Sequence, residues 1–431
     1  MRRALLVGLL IAAFVGATSA PAEAERAESR PEVAKTSTSA GRATYSPYAL
    51  APSSYFRGEL HAHSKLSDGT EAPGAVLAAY RDIGCRWVAI TDHDQVTKAW
   101  VPQMVEIPAC ERTVRPTDAG FSHMLLFGLS SVPASRGMVQ NVAAAEFSTL
   151  AHPVWGGRWG KWTVKEALAS RVTAIEIYNP FSDGPGCEAL WDACLSRGAA
   201  PFCTVGDDEH GSPSPERHVG AYAVVFSDEL SATSLLQSLA KGSYYCTLGP
   251  ELSIVDDESR LTVSSPDTCD WLFVGANGKV LQRDSGTTVA SYEFNGTEKY
   301  VRCKAIRLSD AKPAWTNPVF FAQWQASVAT SDGRARTAVP WVAMSVNASS
   351  DLAPVVDMRV RSDAQAWPAW QPYGHDITCP LSAGDGLKVV HVEFRDRFGT
   401  VFRGPDRRVR LDTSRPLATG PEATSHPDPA R

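Results

Sequence analysis

Two histidines one residue apart, His61 and His63, end a short apolar segment, Gly58-Glu59-Leu60-His61-Ala62-His63-Ser64, just ahead of the acidic turn Ser67-Asp68-Gly69. Further imidazoles and carboxylates follow in single file: Thr91-Asp92-His93-Asp94, Glu111, His123, Ala151-His152-Pro153 and Gly206-Asp207-Asp208-Glu209-His210. Most of the chain's 10 histidines fall in these blocks, each at or beside the end of an apolar run. Imidazole and carboxylate are the ligands that suit zinc, manganese or iron. On a strand, residues two apart face the same way, so His61 and His63 can reach one metal together. Asp68, His93 and His210 are too dispersed for local chelation and need a fold to gather them. A lone histidine is more often a structural hydrogen-bonding group. An ordered series at strand ends, with helices and linkers nearly bare, points to metal chemistry.

The elements that must position these residues alternate along the chain. Strands are predicted at Arg57 to His63, Arg86 to Thr91, Met124 to Leu129, Phe147 to Ala151, Ala174 to Tyr178, Phe202 to Gly206 and Ala221 to Phe226. Helical patterns lie between several of them, at Pro73 to Ile83, Arg136 to Ala145, Val164 to Ala169, Cys187 to Arg197 and Ser231 to Ala240. Strand-then-helix repetition predicts an α/β fold of parallel strands with covering helices. A β/α barrel builds its active site where the ligand blocks stand, at the C-terminal strand ends. No apolar strand is evident around Glu111. Near Gly249-Pro250 the helical patterns stop, and short alternating stretches with turn residues predict all-β structure to about residue 412.

Length and composition bound the rest. A chain of 431 residues holds more than one typical domain. Its net charge of −5 offers no basic face for duplex DNA. Arg2 and Arg3 precede the apolar run Ala4 to Gly16 and small residues through Ala24, the layout of a secretory signal peptide over residues 1–24. Residues 25–52 read as a flexible leader and 414–431 as a disordered tail. No second long apolar run follows, so no transmembrane segment is expected after signal cleavage. Cysteine is odd in number at nine. Cys187 or Cys194 with Cys203, and Cys269 with Cys303, are conceivable pairs, set against buried free thiols.

With these blocks in place, residues 55 to 250 resemble the PHP (polymerase and histidinol phosphatase) metallohydrolases, specifically a carbaryl-hydrolase-like branch. His61-Ala62-His63 with Ser67-Asp68-Gly69 resembles the first motif of that family, Thr91-Asp92-His93 the second, Ala151-His152-Pro153 the third and Asp208-Glu209-His210 the fourth. The resemblance implies a distorted seven-stranded β/α barrel over residues 53–250 and a β extension over 251–335, where Ala314-Trp315-Thr316-Asn317-Pro318 carries the likeness. Residues 340–413, with Gly384-Asp385-Gly386 and Arg395-Asp396, resemble an Ig-like β-sandwich of bacterial surface and secreted proteins. There Arg397-Phe398-Gly399 replaces the usual Gly-Asn.

The same resemblance implies two or three divalent metal ions (zinc, manganese or iron). His61, His63, Glu111 and Asp208 would surround the first. Glu111 would bridge to a second completed by His123 and His152, and Asp68, His93 and His210 would hold a third. Asp68 stands where many relatives have histidine, which tilts that site toward manganese or iron. Asp68, His93, Glu111 and Asp208 are the residues expected to carry catalysis. Asp92 and Asp94 either orient His93 or cap turns. Arg158, Lys161 and Arg217 are either phosphate clamps or solvated loop cations. Trp155 and Trp159 either wall a substrate's organic part or pack the rim.

Three functions from different classes fit. The first is a secreted or cell-surface phosphoesterase acting on a small phosphomono- or diester. The second is a carboxylic or carbamate ester hydrolase on the same metals, and the third is a non-catalytic surface-binding protein. The complete ligand set speaks against the third. A cell-surface or cell-wall attachment is expected of the Ig-like unit. A long nucleic acid is not an expected substrate.

Overall fold

The structure, a computed structural model, describes residues 37–49, 51–52, 54–116, 120–155, 161–211, 213 and 220–414. The expected signal peptide, most of the tail, and Arg158, Trp159 and Arg217 lie outside the described residues. The N-terminal part comprises β1 (Ser37–Tyr45), β2 (Tyr55–Ala62), α1 (Pro73–Asp82), β3 (Trp87–Ile90), β4 (Val105–Glu106), β5 (Ala109–Val114), β6 (Ser122–Phe127), α2 (Met138–Ala144), β7 (Phe147–Leu150), α3 (Val164–Ser170), β8 (Ala174–Tyr178), α4 (Gly184–Ser196), β9 (Phe202–Val205), β10 (Tyr222–Phe226), α5 (Ala232–Ala240) and β11 (Tyr244–Thr247). The α-helices and the strands β2, β3 and β6 to β10 follow the expected elements closely, whereas β1, β4, β5 and β11 were not expected. Strong local signals explain the agreement: Pro73 opens α1, where its missing N–H costs nothing. Thr163 and Glu166 form a capping box that starts α3. The strands β3, β7 and β9 are buried throughout, β3 as an unbroken apolar run and β7 and β9 with Ser148, Thr149 and Thr204 among apolar residues.

A single closed seven-stranded barrel is not found among the described residues. The strands divide between two sheets instead, one running β4-β3-β2-β10-β11 and onward, the other β5-β6-β7-β8-β9. Parallel pairing holds for β2–β3, β3–β4, β7–β8 and β8–β9, whereas β5–β6, β6–β7, β10–β2 and β10–β11 are antiparallel. The two sheets touch through isolated parallel bridges, Ala62 with Glu209 on one side and His93 with Glu111 on the other. Both seams run through the ligand blocks. Turns that aim those side chains inward break the ladders there, which is why the sheet does not close.

The all-β part comprises β12 (Ser253–Asp256), β13 (Arg260–Gly275), β14 (Lys279–Glu293), β15 (Tyr300–Arg307), β16 (Pro313–Thr316), β17 (Val319–Thr330), β18 (Arg336–Thr337), β19 (Trp341–Ser350), β20 (Val355–Ser362), β21 (Gln371–Pro372), β22 (Asp376–Pro380), β23 (Gly386–Asp396), β24 (Val401–Arg403) and β25 (Arg407–Leu411). Three expected boundaries shift. Residue 250 is no sheet boundary, because β11 pairs β16 and the first sheet continues through β15 into β17, β19 and β22. The C-terminal unit begins before residue 340, since Ala326 and Val328 of β17 share a core with Met344, Val360, Val392 and Phe394. Finally, part of the expected flexible leader is ordered: β1 pairs β17 antiparallel from Ser37 opposite Val328 to Tyr45 opposite Phe320. Its small residues carry little hydrophobic signal, and the strand is recruited by a sheet edge far along the chain.

All nine cysteines are buried and free, so none of the conceivable disulfides is present. Cys269 and Cys303 share the β13–β15 ladder but lie out of register, Cys269 opposite Arg307 and Cys303 opposite Phe273. Among the described residues no helix is long and apolar enough to cross a membrane.

Candidate metal centre

The nine expected ligands, drawn from a stretch of 150 residues, meet at one end of the two sheets. β2 delivers His61 from its last turn of pleat, and His63 lies just beyond, its N–H bonded to the Glu209 carbonyl (2.8 Å). After β9, Gly206 lets the chain pass beneath β2: a Cβ there would stand 2.6 Å from that of His61. Asp208 then takes a positive φ of 49°, and His152 one of 27°. Non-glycine residues rarely adopt such angles, and they persist where surrounding structure over-determines them, as at functional sites.

Glu111 sits at the centre. It belongs to β5, a six-residue strand whose side chains are buried except for Thr113. The polar content of Ala-Cys-Glu-Arg-Thr-Val hides that strand from a hydrophobicity reading. The two carboxylate oxygens of Glu111 face different partners. Oε1 lies 2.8 Å from His123 Nδ1 and 2.9 Å from His152 Nε2. Oε2 lies 3.3 Å from His61 Nε2, 3.1 Å from His63 Nε2 and 3.4 Å from His93 Nδ1. His123 reaches Glu111 diagonally across the β5–β6 ladder, where Thr113 is its direct partner. Asp208 Oδ1 completes the near side at 3.2 Å from His61 and 3.1 Å from His63. Asp68 joins the outer residues, with Oδ2 3.3 Å from His93 and 3.4 Å from His210.

Ligand atoms within 4.8 Å of one another define three overlapping groups: His61, His63, Glu111 and Asp208; His93, Glu111 and His123; and His63, Asp68, His93 and His210. The first coincides with the expected set. In the second, His93 takes the place expected of His152, which remains against the same Glu111 oxygen. In the third, His63 is added. His61, His63, Glu111, His123, His152 and Asp208 are at most 5% exposed, while the side chains of Asp68, His93 and His210 are 50%, 30% and 38% exposed. The centre is therefore sealed behind and open on the Asp68 side.

The donor set fits divalent cations. His63 Nε2 is buried without a hydrogen-bond partner, although two carboxylate oxygens lie near it. Such an orphan is costly unless something other than a hydrogen bond satisfies it. The charge balance agrees. Burial opposes the charge of His61 and His63, yet the carboxylates of Asp208 and Glu111 outweigh it, lifting His61 well above its ordinary range and His63 to about 9. Burial likewise works against Glu111 and Asp208, and the imidazoles hold both below the ordinary carboxylate range. Protons on imidazole thus stand where cations would balance the three carboxylates.

Two supporting residues escape a sequence reading. Glu176, buried in β8, receives His61 Nδ1 at 3.0 Å and the His152 N–H at 2.5 Å. Asn179 donates to Glu176 and to Asp208 Oδ2 (3.1 and 3.3 Å). The available signal was a single charge inside Ala-Ile-Glu-Ile-Tyr, a strand otherwise apolar. Asp92 accepts from Ser64, Ser67 and Thr97 and so fixes the turn that presents Asp68. Asp94 pairs with Arg112 and Arg136. Lys161 is exposed and makes no ion pair with a described residue.

No protein-family model matches the chain, and no curated protein matches it. Among solved structures, a two-domain protein from Bacteroides vulgatus containing a predicted PHP-like metal-dependent phosphoesterase aligns over 64% of this chain and 95% of its own, at 16% identity and a TM-score of 0.38. A proposed metal-dependent phosphoesterase from Bifidobacterium adolescentis aligns over 37% and 89%, at 17% identity and 0.31. An amidohydrolase from Chromobacterium violaceum, with bound sulfate and no metal, aligns over 37% and 89%, at 13% identity and 0.30. Likeness at this level carries no functional weight, so the assignment of chemistry to this chain rests on its own metal-ligand cluster.

Proposed function

We propose that this chain is an exported, metal-dependent hydrolase of small phosphomono- or diesters. The observation that carries the reading is the division of Glu111: one oxygen toward His123 and His152, the other toward His61, His63 and His93. One carboxylate shared between two ligand sets is what a pair of adjacent cations requires. Bound divalent cations supply Lewis acidity toward phosphoryl oxygens and bring the pKa of water near neutrality. Glu176 accepts the proton on His61 Nδ1 and leaves Nε2 free to coordinate. Asp208 and Glu111 stay ionised, and Asn179 holds the second oxygen of Asp208. Substrate enters from the side of Asp68, His93 and His210, the exposed members. Export rests on the pattern of residues 1–24, and attachment to a cell surface or wall is the proposed use of the C-terminal β unit.

A second reading is hydrolysis of a carboxylic or carbamate ester by the same ligand cluster. Metal-loaded protein assayed with p-nitrophenyl phosphate, bis-p-nitrophenyl phosphate and p-nitrophenyl acetate separates the two. Turnover of a phosphoester is expected; turnover of acetate alone transfers the protein to the second reading.

A further inference from the structure

The seam between the first sheet and the β extension holds a cavity of about 550 Å³ whose lining is rich in rings. Tyr48, Tyr55, Phe226 and Tyr245 contribute aromatic side chains to it, and Glu251 contributes a carboxylate. Strand register puts three of the rings on one face. Tyr55 of β2 stands opposite Phe226 of β10, and Tyr245 of β11 stands opposite Val224, two residues from Phe226. Tyr48 closes the corner from the segment ahead of β2. Its ring meets Phe226 edge to face at 6.3 Å and 89°, and Phe226 meets Tyr245 at 6.1 Å and 46°. Neither pair is stacked, so the rings wall the cavity from different directions.

Two of these rings are pinned through their own hydroxyls. The Tyr48 hydroxyl donates to the Tyr244 carbonyl (3.0 Å) and accepts from the Asn317 N–H (2.6 Å). The Tyr245 hydroxyl accepts from the Leu252 N–H (3.1 Å). Both side chains are buried, so their walls stand before any ligand arrives and little ordering entropy is lost on binding. Tyr55 is 62% exposed and stands at the mouth. Glu251, also exposed, makes no ion pair with a described residue. Arg57, the cation on the same face, is turned away: it donates to the Ile83 carbonyl (3.0 Å) and lies over the Tyr222 ring.

We propose that this cavity is a binding site for a quaternary ammonium group, its methyls among the rings and its charge beside Glu251. Ring faces are electron-rich and attract cations, most strongly those that shed water easily. A methylated ammonium does so, and it needs no hydrogen-bond acceptors. A divalent metal ion would demand several oxygen ligands, and only one carboxylate is offered. The site lies at the end of β2 away from His61, and binding there makes no use of the metal centre. It therefore goes beyond the hydrolase reading and stands or falls separately from it.

The test is calorimetric titration of the full chain with choline and tetramethylammonium, beside dimethylbutanol, the neutral carbon isostere of choline. Both cations are expected to bind, and the neutral alcohol to bind about 10-fold or more weakly. Tyr55→Leu, Phe226→Leu and Glu251→Gln are each expected to weaken choline binding about 2- to 10-fold, while Tyr55→Phe keeps it. Tyr55 and Glu251 are exposed, so their variants are expected to keep the thermal unfolding profile of the parent chain. No binding of either cation, or equal binding of the neutral alcohol, overturns the site. Choline affinity unchanged in all three variants, or lost equally in Tyr55→Phe, also overturns it. Flotation with phosphatidylcholine and phosphatidylglycerol vesicles identifies the source of the group. Recruitment to phosphatidylcholine alone assigns a lipid headgroup, and choline binding without recruitment assigns a free solute.

Discussion

A shared carboxylate makes the strongest demand on any one residue. Glu111→Gln keeps the shape of the side chain but removes the charge that two ligand sets face, so bound metal and activity are both expected to be lost. Metal analysis by mass spectrometry checks it, and full occupancy in the variant would show that the bridge lies elsewhere. Glu176→Gln is expected to act more mildly. It keeps a hydrogen bond near His61 Nδ1 but no longer raises the basicity of that ring, which lowers metal affinity about 10- to 100-fold. Protons give a third prediction. With its pKa raised to about 9, His63 is protonated at neutral pH in the metal-free protein. A cation arriving at Nε2 must displace that proton, so binding releases protons and weakens as the pH falls from about 9 toward 6. Calorimetric titration in buffers of different ionisation enthalpy measures the release, and pH-independent affinity would contradict the assignment.

Among the elements, the contact of α4 with the β extension is the most exacting. Arg302 on β15 is 2% exposed, pairs with Asp192 of α4 at 2.7 Å, and lies 4.7 Å over the Trp191 ring. The Tyr300 hydroxyl donates to the same carboxylate. Asp192→Ala leaves the buried guanidinium only the longer contact to Glu188 at 3.5 Å, and Arg302→Met leaves the buried Asp192 carboxylate without a cation, so each is expected to cost about 3 kcal/mol, whereas replacing both by apolar residues should be far milder. Urea unfolding of the two single variants and the double variant tests this. Strand β17 sets a similar constraint. None of the nine candidate ligands lies in the C-terminal unit, so the chemistry is expected not to need it, yet a chain ending near residue 335 leaves Ala326 and Val328 without their core partners. Phe398, stacked 4.7 Å from Tyr45 and close to Phe202 and Phe320, would be lost as well. That shortened chain is expected to be less stable, with thermal unfolding as the readout, while its metal content per folded molecule stays that of the full chain.

For the molecule as a whole, an acidic net charge offers no long-range attraction to polyanions. Small phosphoesters are therefore expected to be cleaved more efficiently than DNA or RNA, with weak dependence on salt. Rates on both substrate types at two ionic strengths decide the matter. Faster polynucleotide cleavage that collapses as salt is added would reveal a basic track and a nuclease.

The nine ligand candidates were legible because imidazole and carboxylate are chemically conspicuous, and helices such as α3 and α5 because Thr163 and Ser231 cap them locally. Partnership was not legible. Whether His93 leans toward Asp68 or Glu111 depends on a seam between two sheets, and no local pattern records how strands from separate sheets meet. Glu111 was named without a strand beneath it, since β5 owes its existence to the ladder with β6 and not to its own polar sequence. The same cause hid β1, whose pairing partner lies some 280 residues away, and blurred the boundary at β17, which serves three cores at once. Residue type and local periodicity are written in the chain; pairing between distant strands is settled by which edges remain open once everything else has packed.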